Sequence, residues 1–177
     1  VGRTFQITAT FGSMTVLENV QMALASHHGQ LLNLWRWMPR LHVSRARELL
    51  ELVGVVEQAD RPCGVLAYGD LKKVELAVAM AHDPEILLMD EPTAGMAPRE
   101  RVELMGLVAR IVSERGCSVL FTEHDMDVVF AHAHRIMVMH RGQLIAEGTP
   151  SAVRENPRVQ EIYLGGGPAQ HPPEEVG

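Results

Sequence analysis

Two short apolar runs, with a helical pattern between them, constrain the fold of this chain more than any other feature. Residues 86–89 (ILLM) stop at two acidic residues, and residues 118–122 (SVLFT) form the next run of β-forming side chains. Between them, Pro98 begins a helical pattern that continues to about residue 114. This order predicts buried parallel strands in a doubly wound α/β sheet, followed by a helix at residues 126–132.

The part of the chain before these strands carries helical signals. Thr15 and Glu18 form a capping box ahead of an apolar run to about residue 25. Residues 44–53 form a second helical pattern that stops at Gly54. A third helical stripe covers residues 70–82, so helices are expected almost up to the first apolar run.

The end of the chain predicts a hairpin, a helix and a tail. Residues 135–140 and 143–147 are strand-like and are separated by Arg141-Gly142, a pair typical of a tight turn. A Gly- and Pro-rich flexible tail closes the sequence. The expected division is a short first segment at 1–10, a helical subdomain at 11–65, an α/β core at 66–150, and a C-terminal helix with a flexible tail at 151–177.

Composition excludes several classes of protein. Of the 177 residues, 46% are hydrophobic and 21% are charged, as in a globular domain and unlike a disordered chain. No apolar run approaches the roughly 18 residues that a spanning helix needs. The net charge of −6 disfavours nucleic-acid binding, so no nucleic-acid partner is expected. The two cysteines fit no metal-binding or redox spacing, which favours a reduced cytosolic setting.

Adjacent carboxylates at the end of the first apolar run form the strongest chemical signal. Asp90 and Glu91 stand at the carboxyl end of a predicted parallel strand, where open α/β sheets bind ligands. Because neighbouring acids repel each other, a cation is the natural partner. Asp90 is suited to hold Mg²⁺ and Glu91 to polarise an attacking water. The alternative is a strand end with two solvated acids.

Two further motifs point to a phosphate ligand. His124, in residues 122–125 (TEHD), follows the second strand and can donate to a phosphate oxygen. Residues 66–70 (LAYGD) precede a helix, and Gly69 there leaves the backbone open to close approach by an anion. Taken alone, the first motif has a plain polar loop as its alternative, and the second a simple turn and helix cap.

Together and in this order, the motifs resemble those of the ATP-binding cassette ATPases of ABC transporters, over nearly the whole chain. LAYGD resembles their signature loop, ILLMDEP at 86–92 their Walker B strand, and TEHD their H-loop. Residues 3–6 (RTFQ) resemble the Q-loop, and the ending at 159–165 resembles the branched-chain amino acid import (LivG-like) group. The implied fold is α/β, a P-loop NTPase-like (RecA-like) parallel sheet with a helical ABC α-subdomain. In these terms residues 1–10 would be the Q-loop region and residues 66–150 the catalytic core.

The resemblance also implies a role for individual residues. Glu91 would be the general base of ATP hydrolysis, and His124 the switch histidine that contacts the γ-phosphate. Asp90 would be the Walker B acid that binds Mg²⁺, and Gln6 would lie near Mg²⁺ and the attacking water. ATP and Mg²⁺ are thus the implied ligands, and ATP hydrolysis coupled to transport is the implied activity.

The signature residues imply partners. Ala67, Tyr68, Gly69 and Asp70 would contact the ATP bound by a second ATP-binding subunit, in a head-to-tail dimer formed with a copy or a paralogue. Integral membrane permease subunits and, indirectly, a periplasmic solute-binding protein are the other implied partners. The implied location is the cytoplasmic face of the bacterial inner membrane, as a peripheral subunit.

The chain departs from the family pattern in several ways, of which two matter most. It contains no GxxxxGK[ST] and no Gly-Lys pair, so we expect that the N-terminal portion of the cassette is missing and that the chain is inactive alone. The alternative is a P-loop-free cassette that lends its signature loop to a paralogous ATPase and hydrolyses nothing itself. The D-loop position that is usually Asp or Asn in the family is Ala97.

Overall fold

The computed structural model describes residues 10–27 and 41–163, and the backbone of residues 2–3. The expected role of Gln6 and the expected flexible tail from residue 164 onward therefore lie outside the described residues. The chain divides between Val128 and Val129 into two compact units, which are described separately. Among the residues that the structure describes, no helix is long and apolar enough to cross a membrane.

The first unit combines a small parallel sheet with helices. Its elements are β1 (Gly2–Arg3), α1 (Val16–His27), α2 (Val43–Leu52), α3 (Tyr68–Met80), β2 (Ile86–Asp90), α4 (Pro98–Arg115) and β3 (Ser118–Thr122), and α5 (Met126–His132) begins at its end. Short 3-10 turns occupy Val56–Gln58 and Cys63–Val65. The strands and helices expected from the sequence are confirmed in this unit to within about two residues at each end.

The sheet of the first unit has the order β1-β2-β3, and all three strands are parallel. Ile86 pairs with Ser118 and Asp90 with Thr122, so β2 and β3 are in register along their whole length. The helix α4 connects them, which confirms the expected strand–helix–strand unit. The two-residue strand β1 was not expected, because two residues are too short to show a sequence pattern.

Burial differs between the two predicted core strands. In β2, Leu87 and Met89 are 1% and 5% exposed, and they pack against the helices. In β3 every residue is half-buried or exposed, and Leu120 is 51% exposed. The prediction that β3 is a buried strand is therefore wrong for the residues that the structure describes. The physical reason is position, because β3 is the end strand of the described sheet and pairs with β2 alone.

The local sequence signals for where helices begin and end are present as expected. At the start of α1 the backbone N–H of Thr15 donates to Glu18 Oε2 at 2.7 Å, and the N–H of Glu18 donates to Thr15 Oγ1 at 3.2 Å. Gly116 has φ +64 and ends α4 in the left-handed conformation that glycine adopts without strain.

A buried asparagine fixes the loop that precedes α1. Asn19 is 4% exposed, and its Oδ1 accepts from the backbone N–H of Phe11 at 2.7 Å. Its Nδ2 donates to the carbonyls of Phe11 and Thr15 and to Sγ of Cys63. Burial raises the pKa of the Cys63 thiol, so the protonated thiol is the favoured form. This loop is thereby tied to the segment that leads into LAYGD.

The second unit is built on a hairpin. It contains β4 (Ile136–His140), β5 (Gln143–Gly148), α6 (Pro150–Arg154) and α7 (Pro157–Tyr163). The strands are antiparallel, and Arg141 and Gly142 have φ +48 and +77, as a type I′ turn requires. The hairpin is confirmed, whereas the single expected C-terminal helix is two short helices. Asn156, just before Pro157, caps the second helix with its side-chain oxygen.

Candidate functional site

The carboxyl ends of β2 and β3 form the candidate site. Oγ1 of Thr122 donates to Oδ1 of Asp90 at 2.6 Å, across the last paired position of the two strands. The backbone N–H of Glu91 then donates to both the carbonyl and the hydroxyl oxygen of Thr122, at 3.0 and 3.1 Å. Thr122 therefore orients one acidic side chain and anchors the backbone of the next.

Glu91 turns sharply out of the sheet and contacts His124. Its φ of +45 lies in the left-handed region, which costs a non-glycine residue about 1–2 kcal/mol. In this conformation its Oε1 lies 2.6 Å from Nε2 of His124. The Glu91 side chain is 26% exposed and that of His124 is 84% exposed. The pair is therefore reachable from solvent, with the carboxylate in the more sheltered position.

The oxygen atoms at this edge suit Mg²⁺. In proteins this ion is held through one or two carboxylates, while water and substrate phosphates complete its shell. Asp90 is exposed, and its Oδ1 accepts a hydrogen bond from the hydroxyl of Thr122. Across the described ranges no group of three or more metal-ligating side chains is present. Asp90 thus fits an ion that comes with a phosphate ligand and does not fit a closed protein cage.

A second contact joins the loops that follow the two strands. Oε1 of Glu123 accepts hydrogen bonds from the backbone N–H and the hydroxyl of Thr93, at 2.8 and 2.6 Å. Thr93 is 1% exposed, so both of its donors are satisfied away from water. The loop after β2 and the loop after β3 are therefore held together at residues that lie next to Glu91 and His124 in the sequence.

Arg101 makes a third connection between these loops. Its Nε donates to the carbonyl of Met96 at 2.9 Å, and its Nη1 donates to Oδ2 of Asp125 at 2.5 Å. The other carboxylate oxygen of Asp125 accepts from the backbone N–H groups of Asp127 and Val128, which caps α5. The backbone on both sides of His124 is thus anchored, by β3 before it and by α5 after it.

The signature residues lie at the start of α3, against the loop after β2. The hydroxyl of Tyr68 donates to the carbonyl of Ala94 at 3.3 Å. A Cβ added to Gly69 would lie 3.3 Å from Oε1 of Glu100 and 3.9 Å from Cε of Met96. A side chain at residue 69 would therefore require the flexible end of Glu100 to move by a few tenths of an ångström. Residue 67 precedes the helix in an extended conformation, and Asp70 pairs with Lys73 at 3.3 Å.

Of the residues expected at the site, the structure brings Asp90, Glu91 and His124 together. Of the expected signature residues, Tyr68 contacts Ala94 and Gly69 lies near Met96. Sequence reasoning gave no role to Thr122, Thr93 or Arg101. The signal for Thr122 was available, because two in-register parallel strands that both end in polar residues place those residues side by side. Arg101 offered no such signal, since its partners depend on how the two loops fold.

Comparisons with known proteins give a consistent result. A family model described as "ABC transporter" matches residues 1–94, and a model described as "Branched-chain amino acid ATP-binding cassette transporter" matches residues 143–169. The high-affinity branched-chain amino acid transport ATP-binding protein LivG of Salmonella typhimurium is 39% identical, over 93% of this chain and 68% of its own length. The protein BraF of Pseudomonas aeruginosa gives the same identity and shares.

Solved structures agree in fold. The ADP conformation of MJ1267, an ATP-binding cassette of an ABC transporter, matches with a TM-score of 0.77 at 32% identity, covering 93% of this chain and 68% of that one. A nucleotide-free ATP-binding cassette from an ABC transporter matches with a TM-score of 0.76 at 32% identity, covering 92% and 67%. These neighbours are P-loop NTPase-like cassettes, so the expected fold class is confirmed.

Proposed function

The chain belongs to the ATP-binding proteins of ABC transporters, in the group of LivG and BraF, and on that premise we propose that it is the ATP-hydrolysing subunit of an importer for branched-chain or related amino acids. Binding of ATP is a property of this family. The observation that carries the proposal is the contact of 2.6 Å between Glu91 Oε1 and His124 Nε2, beside Asp90 at the strand ends.

Glu91 is the group that we assign to accept a proton from the attacking water. Its backbone N–H donates to Thr122 and its carboxylate contacts His124, so the group is already positioned and little reorganisation is needed. A general base in such a position typically contributes a factor of about 10²–10⁴ in rate. His124, bonded to the same carboxylate, has its remaining surface open to a phosphate oxygen.

Asp90 is the group that we assign to hold Mg²⁺, with Gln6 as the second contact expected from the resemblance. Bound Mg²⁺ would neutralise negative charge on the phosphate oxygens of ATP. The role of this chain is then to keep the Asp90 carboxylate in one orientation, through the hydroxyl of Thr122.

The signature residues are assigned to a second ATP-binding subunit. Ala67, Tyr68, Gly69 and Asp70 would contact the ATP held by that partner. The contact between Tyr68 and residue 94 supports this, because it fixes the start of α3. Permease subunits in the membrane and a periplasmic binding protein complete the proposed importer. The proposed location is the cytoplasmic face of the bacterial inner membrane.

Hydrolysis of Mg-ATP tests the catalytic part of this proposal. Since the 177 residues contain no GxxxxGK[ST], the test joins the P-loop segment of a LivG relative ahead of residue 1. We expect this chimera to hydrolyse ATP and the variant Glu91→Gln to lose turnover by at least about 10²-fold. Glu85→Gln, at the opposite end of β2, is the matched control and should hydrolyse like the parent. Equal turnover in Glu91→Gln would contradict the assignment of the base.

Uptake of labelled leucine tests the transport part. The chimera is combined with the permease subunits and binding protein of the same relative in vesicles. We expect ATP-dependent uptake of leucine that fails with Glu91→Gln and persists with Glu85→Gln. ATP hydrolysis without uptake of leucine or a related amino acid would retain the ATPase and refute the proposed cargo.

The competing function is a non-hydrolysing partner that lends LAYGD to a paralogous ATPase. It predicts that the unmodified chain co-purifies with that ATPase, and that substitution of Gly69 here stops the paralogue's turnover. Turnover of ATP by the unmodified chain in isolation would refute this competing function.

A further inference from the structure

We propose that Arg101 is a positioning residue that couples residues 94–96, on which the signature residues rest, to His124. The proposal rests on the proposed function, because this coupling affects a reaction only if His124 acts on ATP. The observation behind it is the pair of contacts that one guanidinium makes to the loop after β2 and to the loop after β3.

Two different nitrogen atoms of the Arg101 side chain make its two contacts. Nε reaches the carbonyl of Met96 at 2.9 Å, and Nη1 reaches Oδ2 of Asp125 at 2.5 Å. The side chains of Arg101 and Asp125 are 32% and 31% exposed, so the bridge is sheltered from most of the solvent. Because a guanidinium is a rigid planar fork, movement of one partner is passed to the other.

The Asp125 end of this bridge leads directly to His124. Asp125 is the next residue in the chain, and its second oxygen caps α5 through Asp127 and Val128. Both carboxylate oxygens are therefore committed, one to Arg101 and one to the helix. A shift of Asp125 must move the backbone that carries His124, because β3 fixes the other side at Thr122.

The Met96 end leads to the signature residues. Met96 is 4% exposed, and its Cε lies 3.9 Å from the position that a Cβ on Gly69 would occupy. Tyr68 contacts the same stretch through the carbonyl of Ala94. A change at the start of α3 thus reaches residues 94–96 through the Tyr68 contact, and from the Met96 carbonyl it reaches Arg101.

A neighbouring arginine provides the matched control. Arg99 lies on the same helix, is 90% exposed, and pairs with Glu103 at 2.9 Å four residues along. Exposed pairs within one helix are worth little and connect no separate elements. Replacement of Arg99 therefore removes the same charge from α4 without touching the bridge.

The first test reads the methyl signal of Met96 by NMR in the unmodified 177-residue chain without nucleotide, with Met96→Leu to identify that signal. Asp125→Asn keeps an oxygen to cap α5 but removes the charge that Arg101 holds. We expect Asp125→Asn to shift the Met96 signal in the parent and in Arg99→Leu. We expect no shift in Arg101→Leu, where the bridge is already broken.

An equal shift in Arg101→Leu, or no shift in the parent, would overturn the proposal. If Arg101→Leu fails to fold, Arg101→Lys takes its place, because one ammonium cannot hold both partners in the same geometry. The same loss of shift is expected with that variant, and a retained shift would overturn the proposal.

The second test uses the P-loop chimera. Arg101→Leu and Asp125→Asn should each lower kcat by about three- to thirty-fold, the range expected for coupling of this kind, with KM for ATP unchanged. The double variant should be no slower than the slower single variant, and Arg99→Leu should match the parent. A raised KM with unchanged kcat would overturn the proposal. An inactive parent chimera would refute the proposed function but not the coupling. The NMR test decides the coupling separately, because it does not depend on ATP hydrolysis.

Discussion

Thr122 and Asp90 are joined by a hydrogen bond of 2.6 Å from the Thr122 hydroxyl to Oδ1 of Asp90, where β2 and β3 end together. The same hydroxyl accepts a hydrogen bond from the backbone N–H of Glu91 at 3.1 Å. A hydroxyl can donate once and accept at the same time, so both contacts are satisfied by one side chain. Thr122 therefore couples the orientation of the proposed Mg²⁺ ligand to the backbone of the proposed base.

Replacing Thr122 by valine removes the hydroxyl and keeps the shape of the side chain. We expect Thr122→Val to lower the free energy of unfolding by about 1 kcal/mol, the usual net value of a hydrogen bond, because both contacts are exposed to solvent. Urea denaturation of the 177-residue chain measures this. Thr122→Ser is the control, because it keeps the hydroxyl that Thr122→Val removes. Equal stability of Thr122→Val and the parent would show that the two contacts contribute nothing.

The left-handed backbone of Glu91 predicts an unusual order of stabilities. Glu91→Gly and Glu91→Ala both lack the carboxylate, so their difference reports the cost of φ +45. We expect Glu91→Gly to be the more stable of the two by about 1 kcal/mol, as thermal or urea unfolding will measure. The opposite order would mean that residue 91 is not held in this conformation in solution.

The periodic elements of this chain were predictable from sequence. The capping box of Thr15 and Glu18, the apolar run that becomes β2, and the turn at Arg141-Gly142 all act over a few residues. Each is decided by local backbone preferences, and the structure has each where the pattern indicates. The degree of burial of β3 was not predictable, because it depends on the number of neighbouring strands and not on the strand's own residues.

The candidate site was also predictable from the sequence only in part. Asp90, Glu91 and His124 follow from the rule that parallel strands present their carboxyl ends at one edge. The hydrogen bonds of Thr122 depend on the register of β2 against β3, and those of Arg101 depend on the paths of two loops. Neither the register nor the loop paths leave a pattern in the sequence, so these contacts required the structure.

Removal of the Asn19 side chain is expected to loosen the loop before α1. Asn19→Ala leaves the N–H and carbonyl of Phe11 without their side-chain partner in a partly buried setting. We expect a loss of about 1–3 kcal/mol in the free energy of unfolding. Asn19→Asp keeps the acceptor but turns a negative charge toward two carbonyls, so it should also be destabilised. Parent-like stability of Asn19→Asp would contradict a role for the amide donor.

The hairpin of the second unit offers a test of backbone strain alone. Gly142 has φ +77, and a Cβ added there would meet no atom within 4 Å. We expect Gly142→Ala to destabilise the chain by about 1 kcal/mol through its conformation and not through a clash. Arg141→Asn, which supplies the Asn-Gly pair favoured in type I′ turns, should be neutral or stabilising. Urea denaturation compares the two, and a stabilised Gly142→Ala would contradict the turn.

The most direct test of the central claim is sedimentation of the Glu91→Gln chimera with and without Mg-ATP. Because Glu91 is assigned to the water and residues 67–70 to the ATP of a second subunit, a variant that cannot hydrolyse should hold two subunits around trapped ATP. We predict a dimer in Mg-ATP and a monomer in Mg-ADP or without nucleotide. A chain that stays monomeric at every concentration of Mg-ATP would contradict the account.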